Sequence, residues 1–292
     1  MTTTEQANPN SAQIDTLPAL EIVQIINRED QTVAKAVEAA LPQIAQSVEA
    51  ITSRIENGGR LIYIGAGTSG RLAVLDASEC VPTYSVPPEL VQAVMAGGEY
   101  ALVHSVEGAE DDRAGARRDL AAISLTGKDT LVGIAASGTT PYVLEALAYA
   151  KEFGAVTVGV SCNVPSPLLD AADIAIGVVP GPEVIAGSTR MKAGTAQKLV
   201  LNMLSTATMI SLGKVYGNLM VDVSVSNDKL LRRARGLIST ITGVDDERAA
   251  ELLTQANNEV KTAVVMQRKG VDAAAARELL AQANGHLRRV IG

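Results

Sequence analysis

The sequence has no tryptophan, a single phenylalanine and only two cysteines among its 292 residues. Because 47% of the residues are hydrophobic and almost none is aromatic, the core must consist mainly of Ala, Val, Leu and Ile. Such a composition favours a layered α/β protein whose parallel strands are buried on both faces. Cys80 and Cys162 are too few to form a disulfide framework, so we expect reduced thiols, as in a cytoplasmic protein.

Metal-binding and basic motifs are absent too. The histidines, His104 and His286, do not form a pair with metal-ligand spacing, and the two cysteines carry no zinc signature. The formal net charge is -7 and no basic stripe is present, whereas a nucleic-acid binder needs clustered Lys and Arg. We therefore expect no metal and no nucleic-acid partner, although a few local donors could still bind a small anion.

Targeting and membrane segments are not evident. Residues 1–17 are polar and lack the apolar region of a secretory signal. The longest apolar stretch, residues 199–212, is interrupted by polar side chains and is too short to span a bilayer. These features predict a cytoplasmic location and no membrane partner.

The order of predicted elements indicates an α/β fold. A flexible tail over residues 1–16 precedes two predicted helices between Pro18 and Ile55. Short apolar runs then alternate with helical sequence, which predicts a parallel sheet covered by helices on both faces. These runs are residues 61–64, 91–95, 130–135, 156–160 and 174–178. A long helix follows over residues 191–212, and we predict a main domain over 17–239 and a small all-helical domain over 240–292.

Two predicted strands end in turns of similar chemistry, GAGTSG at residues 65–70 and ASGTT at residues 136–140. Each turn places hydroxyls and free backbone N–H groups at a helix N-terminus, where the helix dipole attracts an anion. Ordinary helix capping explains either turn equally well. The first turn is not followed by the lysine of a P-loop, and Glu89 precedes the next strand instead of ending it, unlike a dinucleotide site. The paired hydroxyls favour a monophosphate.

Acidic residues follow both the first turn and the second predicted strand, in DASEC at 76–80 and EGAEDD at 107–112. From spacing alone, a solvated helix face is the better explanation of the second group. Cys80 beside Glu79 could suggest a nucleophile, but no base is visible nearby and a buried thiol fits better.

Four longer segments resemble the N-acetylmuramic acid 6-phosphate etherase family. They are IYIGAGTSGRL at 62–72, LDASEC at 75–80, VEGAED at 106–111 and GPEVIAGSTRMKAGT at 181–195, the last being shared with the glucokinase regulatory protein. The resemblance extends from about Leu17 to the C-terminus. It implies a three-layer αβα sugar isomerase (SIS) fold with N-terminal helices and a small helical C-terminal domain, assembled as a homodimer.

The same resemblance implies the chemistry. The family's acid/base pair corresponds to Glu79 and Glu110. Phosphate ligands would be Ser69, Ser137, Thr139 and Thr140, with Thr68 nearby. The substrate would be a small-molecule sugar phosphate whose D-lactyl ether is eliminated and replaced by water, giving N-acetylglucosamine 6-phosphate and D-lactate. The open-chain aldehyde acidifies C2, so we expect neither a metal nor an organic cofactor.

Several alternatives stay open at this stage. A non-catalytic sugar-phosphate-binding regulator of the same fold is the second interpretation, and a sugar-phosphate isomerase is the third. Arg71, Arg190 and Lys192 are candidates to bind the lactyl carboxylate. Glu79 follows Ser69 by ten positions, about 15 Å along a continuous helix. Either the helix ends near Asp76, or Glu79 acts in a site of the partner subunit.

Overall fold

The computed structural model describes residues 2–225 and 227–292. The chain forms two compact units. The first comprises the residues up to Ser78 together with Glu89–Ser205, and the second comprises Glu79–Pro88 together with Thr206–Gly292. The division therefore differs from the predicted boundary at residue 240, since residues 206–239 and a short segment around Glu79 belong to the second unit.

The first unit begins with short helices. Three 3-10 helices, Thr3–Glu5, Pro9–Ser11 and Ile14–Thr16, precede α1 (Ala19–Asp30), α2 (Val33–Glu38) and α3 (Leu41–Glu56). The expectation of a flexible tail is wrong for the described residues 2–16, because Thr4, Asn8 and Ser11 are buried. Their polar groups form long-range hydrogen bonds. Three α-helices occupy the region in which we predicted two.

A five-stranded parallel sheet forms the centre of the first unit, with the strand order β2-β1-β3-β4-β5. Its strands are β1 (Leu61–Gly65), β2 (Val91–Met95), β3 (Thr130–Ile134), β4 (Val156–Ser161) and β5 (Ile174–Gly177). Successive side chains point to opposite faces, and Leu61, Ile62, Tyr63 and Ile64 are all fully buried. Both faces of the sheet are therefore covered, which confirms the predicted α/β fold with a parallel sheet.

The other helices of this region are α4 (Gly67–Tyr84), α5 (Tyr100–Val103), α6 (Arg113–Ala122), α7 (Pro141–Glu152), α8 (Pro167–Ala171) and α9 (Lys192–Ser211). Helix α7 packs on β1, β3 and β4, while α3 packs on β3 and β5. Helices α4 and α9 are the two in which the chain passes from one unit to the other. None of the described helices is both long enough and apolar enough to cross a membrane.

The second unit is mainly helical. It contains a short antiparallel hairpin of β6 (Val215–Tyr216) and β7 (Leu219–Met220), which we did not predict. Its helices are α10 (Asp228–Thr242), α11 (Asp246–Gln255), α12 (Val260–Lys269), α13 (Ala273–Gln282) and α14 (Leu287–Ile291). Asp245 caps the start of α11, since its side chain accepts a hydrogen bond from Arg248 N. An aliphatic core from α10 to α14 holds the unit together.

Candidate active site

The two glycine- and hydroxyl-rich turns lie at neighbouring strand ends. Strand β1 pairs with β3 in parallel, with Gly65 opposite Ile134, so the turns that follow them occupy the same edge of the sheet. This is the edge at which open α/β sheets bind ligands. A cavity of about 400 Å³ opens there, which we call the hydroxyl cavity. It is lined by all five predicted phosphate ligands, Thr68, Ser69, Ser137, Thr139 and Thr140.

Glycines make both turns tight. A Cβ on Gly65 would lie 2.8 Å from Gly70 N, so the end of β1 and the start of α4 approach too closely for any other residue. Gly138 has φ +71°, and a Cβ there would collide with Ser161 and Ser166. These positions let the backbone curl around the cavity at the N-termini of α4 and α7.

The hydroxyl groups differ in their availability. Ser137 Oγ accepts a hydrogen bond from Thr139 N at 3.2 Å, and Thr140 precedes α7 without capping it through its side chain. Ser69 is only 7% exposed, and its Oγ donates to Gln197 Oε1 at 2.9 Å. Gln197 is a residue that sequence reasoning missed, because it lies 128 positions away on α9. It holds the Ser69 side chain at the cavity wall.

Glu110 lies where two cavities meet. It belongs to a 3-10 helix, Ala109–Asp111, which follows Gly108 in the left-handed conformation at φ +73°. Glu110 is exposed, and it lines the hydroxyl cavity and also a second cavity of about 340 Å³. We call the second one the loop cavity, and Arg71, His104, Ser105 and Glu107 also line it. Glu110 is thus accessible to a ligand whose phosphate occupies the hydroxyl cavity.

Arg71 holds the segment that leads to Glu110. Its Nε donates to Leu102 O at 2.9 Å, and its Nη2 donates to Ala101 O at 2.8 Å and to His104 O at 3.1 Å. These carbonyls lie at the end of α5, so the guanidinium satisfies groups that a helix C-terminus leaves unpaired. Sequence reasoning proposed Arg71 as a ligand of the lactyl carboxylate, whereas its bonds indicate a role in positioning the loop.

Lys192 is not available to bind the lactyl carboxylate. It is 2% exposed, and its Nζ donates to Glu29 Oε2 at 2.5 Å. Burial alone would raise the pKa of Glu29, but hydrogen bonds from Lys192, Asn10 and Asn8 lower it below its ordinary value. Of the three proposed cations, Arg190 is the one that is exposed.

The signature segment at residues 181–195 contributes a buried carboxylate. Glu183 is fully buried, and it accepts hydrogen bonds from Lys192 N at 2.8 Å and Ala193 N at 2.9 Å. Burial raises its pKa against the lowering effect of these two backbone groups. Glu183 therefore caps the N-terminus of α9, which explains why an acid stands in this segment.

Glu79 is exposed and lies on α4, which continues past it and ends at Tyr84. The alternative in which the helix ends near Asp76 is therefore wrong. A rise of about 1.5 Å per residue puts Glu79 about 15 Å along the helix from Ser69. Glu79 lines neither the hydroxyl cavity nor the loop cavity.

Three further titratable groups, Asp76, Cys80 and Cys162, line neither cavity. Asp76 accepts hydrogen bonds from Tyr63 Oη at 2.9 Å and Ser205 Oγ at 3.1 Å, and burial raises its pKa. Burial and the nearby Glu183 raise the pKa of Cys162 to about 12. Cys80 is buried as well, which agrees with its interpretation as a structural thiol. Within residues 2–225 and 227–292, no group of three or more His, Cys, Asp or Glu side chains is placed to hold a metal ion.

Family models match most of the chain. Residues 43–151 match the N-terminal SIS domain of glucokinase regulatory protein, residues 110–207 match the SIS domain, and residues 217–263 match the C-terminal lid domain of glucokinase regulatory protein. A solved structure agrees with the fold over about two thirds of the chain. A phosphoheptose isomerase from Francisella tularensis aligns with a TM-score of 0.50 at 21% identity, covering 66% of this chain and 100% of that one.

Curated relatives are much more similar in sequence. The N-acetylmuramic acid 6-phosphate etherase of Glaesserella parasuis is 59% identical over 90% of this chain and 86% of its own length. A protein of the same name from Bacillus licheniformis is 56% identical over 90% of this chain and 87% of its own. That of Rhodopirellula baltica is 54% identical over 99% of this chain and 96% of its own.

Proposed function

Since this chain belongs to the N-acetylmuramic acid 6-phosphate etherase family, we propose that it cleaves the D-lactyl ether of N-acetylmuramic acid 6-phosphate. The products are N-acetylglucosamine 6-phosphate and D-lactate. The structural observation that carries the proposal is the pair of adjoining cavities, one lined by five serine and threonine residues and both lined by Glu110. A phosphate group and an acid/base catalyst would thus be held within one substrate length of each other.

The phosphate binds in the hydroxyl cavity. Thr68, Ser69, Ser137, Thr139 and Thr140 offer hydroxyl and backbone donors at the N-termini of α4 and α7. Helix N-termini favour anions because their N–H groups are unpaired and the dipole is positive there. No phosphate-binding cation is required by this arrangement.

Glu110 acts as the base. Ring opening converts C1 into an aldehyde, which acidifies the C2 proton, and the Glu110 carboxylate removes that proton. The C3–O bond then breaks and the lactyl oxygen leaves with a proton from an acid. Water adds to C3 of the unsaturated aldehyde while the two carboxyl groups act in reversed roles. The aldehyde itself accepts the electron pair in both steps.

Glu79 supplies the acid from the partner subunit of a homodimer. Two observations support this assignment. Glu79 lines neither cavity of its own chain, and α4 carries it away from the Ser69 turn without a break. A C₂ dimer, the commonest oligomer, would place such a residue twice, once in each site. We propose a cytoplasmic setting, in which the enzyme takes part in recycling the muramic sugar of the cell wall.

A regulator that binds the sugar phosphate without turnover is the second candidate, because the chain also matches two domains of glucokinase regulatory protein. Release of D-lactate from N-acetylmuramic acid 6-phosphate separates the two functions. The proposal predicts stoichiometric D-lactate and N-acetylglucosamine 6-phosphate from the wild-type protein and almost none from Glu110→Gln. Tight binding of the substrate with no D-lactate from the wild-type protein would establish the regulator instead.

A further inference from the structure

The N-terminal strap, residues 2–16, is fixed to the first unit by buried polar contacts. Thr4 is 1% exposed, its N donates to Asn163 Oδ1 at 3.2 Å, and its Oγ1 accepts from Asn163 Nδ2 at 3.0 Å. The carbonyl of Thr4 accepts a hydrogen bond from Gly187 N at 3.0 Å. The backbone at Thr4 is therefore held from two sides.

Asn163 links the strap to the second phosphate turn. Its Nδ2 also donates to Ala136 O at 3.0 Å and to Ser137 O at 3.3 Å. One buried amide thus joins the strap to the turn that carries Ser137. These contacts therefore fix the position of the residue after Thr4 relative to the hydroxyl cavity.

That residue is Glu5, which lines the hydroxyl cavity. A Cβ added to Gly187 would lie 3.1 Å from Glu5 Oε2, so the carboxylate sits over Gly187, which lines the same cavity. Glu5 is exposed, and its side chain makes no hydrogen bond or ion pair with the residues at 2–225 and 227–292. Buried contacts therefore hold an unpaired acid at the edge of an anion-binding cavity.

An acid in this position opposes phosphate binding, because like charges repel. A carboxylate is, however, a strong acceptor for neutral donors, and hydrogen bonds to charged groups are stronger than neutral ones. A sugar phosphate brings hydroxyl groups next to its phosphate, whereas inorganic phosphate does not. Glu5 lines the hydroxyl cavity and not the loop cavity, which places it at the phosphorylated end of the ligand.

We propose that Glu5 is a specificity residue that accepts a hydrogen bond from a sugar hydroxyl close to the phosphate. It would select phosphorylated sugars over simple phosphates. This inference rests on the proposed function for the identity of the ligand, but a binding measurement tests it without any turnover.

The experiment compares the wild-type protein, Glu5→Ala and Glu5→Gln by calorimetric binding of N-acetylglucosamine 6-phosphate and of inorganic phosphate. Loss of a hydrogen bond to a charged acceptor predicts that Glu5→Ala weakens sugar-phosphate binding by about tenfold or more. Inorganic phosphate should bind the same variant equally well or more tightly, since a negative charge has been removed. Glu5→Gln should bind the sugar phosphate with an affinity between those of the wild type and Glu5→Ala. Gln6→Ala, an exposed neighbour in the strap that lines neither cavity, should match the wild type.

Two results would overturn the assignment. If Glu5→Ala bound the sugar phosphate as tightly as the wild type, Glu5 would not contact the ligand. If both ligands lost affinity by the same factor, Glu5 would act only through the shape of the strap. Failure of the etherase activity itself would appear separately, as the absence of D-lactate from wild-type protein that still binds N-acetylglucosamine 6-phosphate.

Discussion

At the scale of single residues, Glu110 is the group whose environment most directly supports catalysis. It is exposed, it borders both cavities, and Gly108 shapes the turn that presents it. We predict that Glu110→Gln lowers kcat by roughly 10²–10⁴-fold, the usual effect of removing a positioned acid or base. Binding of N-acetylglucosamine 6-phosphate should change little. Glu99→Gln, an exposed acid that lines neither cavity, is the control, and a Glu110→Gln protein with wild-type kcat would contradict the assignment.

Ser137 tests the phosphate assignment at the same scale. Its Oγ accepts from Thr139 N and Thr139 Oγ1, so it organises the second turn. Removing a capping hydroxyl costs about 1 kcal/mol of stability. We predict that Ser137→Ala raises KM in steady-state kinetics. Urea unfolding of the same variant should show a loss of stability of only about 1 kcal/mol, so that the rise in KM reflects weaker phosphate binding. Equal processing of unphosphorylated N-acetylmuramic acid would show that the cavity does not bind phosphate.

At the scale of elements, the loop after α5 depends on Arg71. The planar guanidinium reaches three carbonyls at once, and a lysine cannot reproduce this fork. Small displacements of a catalytic group reduce rates strongly. We predict that Arg71→Lys lowers kcat by about tenfold or more while binding of inorganic phosphate is unchanged. Arg113→Lys, on an exposed helix surface, is the matched control. Unchanged kcat in Arg71→Lys would mean that the loop keeps Glu110 in place by other contacts.

The junction of the strap, α1 and α9 depends on Glu29. Its folded pKa lies below its ordinary value of 4.5, so the folded state binds fewer protons than the unfolded state near that pH. The stabilisation that the ionised Glu29 carboxylate gives the folded state is therefore present above the pKa of Glu29 in the unfolded state. It is lost as the pH falls through the pKa of Glu29 in the folded state. Glu29→Gln leaves Lys192 buried without its counter-charge, and removing one partner of a buried pair typically costs about 3–5 kcal/mol.

We predict that urea unfolding of the wild type becomes easier below about pH 4.5, and that Glu29→Gln is destabilised at pH 7 with a weaker dependence on acid pH. Glu21→Gln, an exposed acid on the same helix, should follow the wild type. Equal stability of Glu29→Gln and the wild type at pH 7 would show that the pair with Lys192 contributes little.

At the scale of the whole molecule, the sequence predicted the sheet well because buried apolar runs such as Leu61–Gly65 are local signals. It failed for the strap, since a polar composition suggested flexibility while Thr4 pairs with Asn163 159 positions away. The alternative in which α4 ends near Asp76 also failed, since the segment from there to Pro82 contains no glycine or proline that would stop a helix. Long-range pairs, such as Ser69 with Gln197, left no local pattern that sequence reasoning could detect.

The shared site is a property of the proposed dimer. If each site combines Glu110 of one chain with Glu79 of its partner, mixing inactive Glu79→Gln and Glu110→Gln proteins produces hybrid dimers with one intact site. Random exchange of equal amounts makes about half of the dimers hybrid, and each hybrid has one intact site of two. The mixture should therefore recover about one quarter of wild-type activity. The activity should be measured after subunit exchange has been verified by a mass-tagged protomer. No recovery in a fully exchanged mixture would place both glutamates in the same chain or show that the protein works as a monomer.

Isotope labelling during turnover is the direct test of elimination across C2 and C3 followed by addition of water. The wild-type protein should be supplied with N-acetylmuramic acid 6-phosphate in heavy-oxygen water, and both products should be analysed by mass spectrometry. The mechanism predicts heavy oxygen at O3 of N-acetylglucosamine 6-phosphate and none in the hydroxyl of D-lactate, because the C3–O bond breaks. Turnover in deuterated water should place deuterium at C2. Heavy oxygen in the lactate hydroxyl would contradict the account.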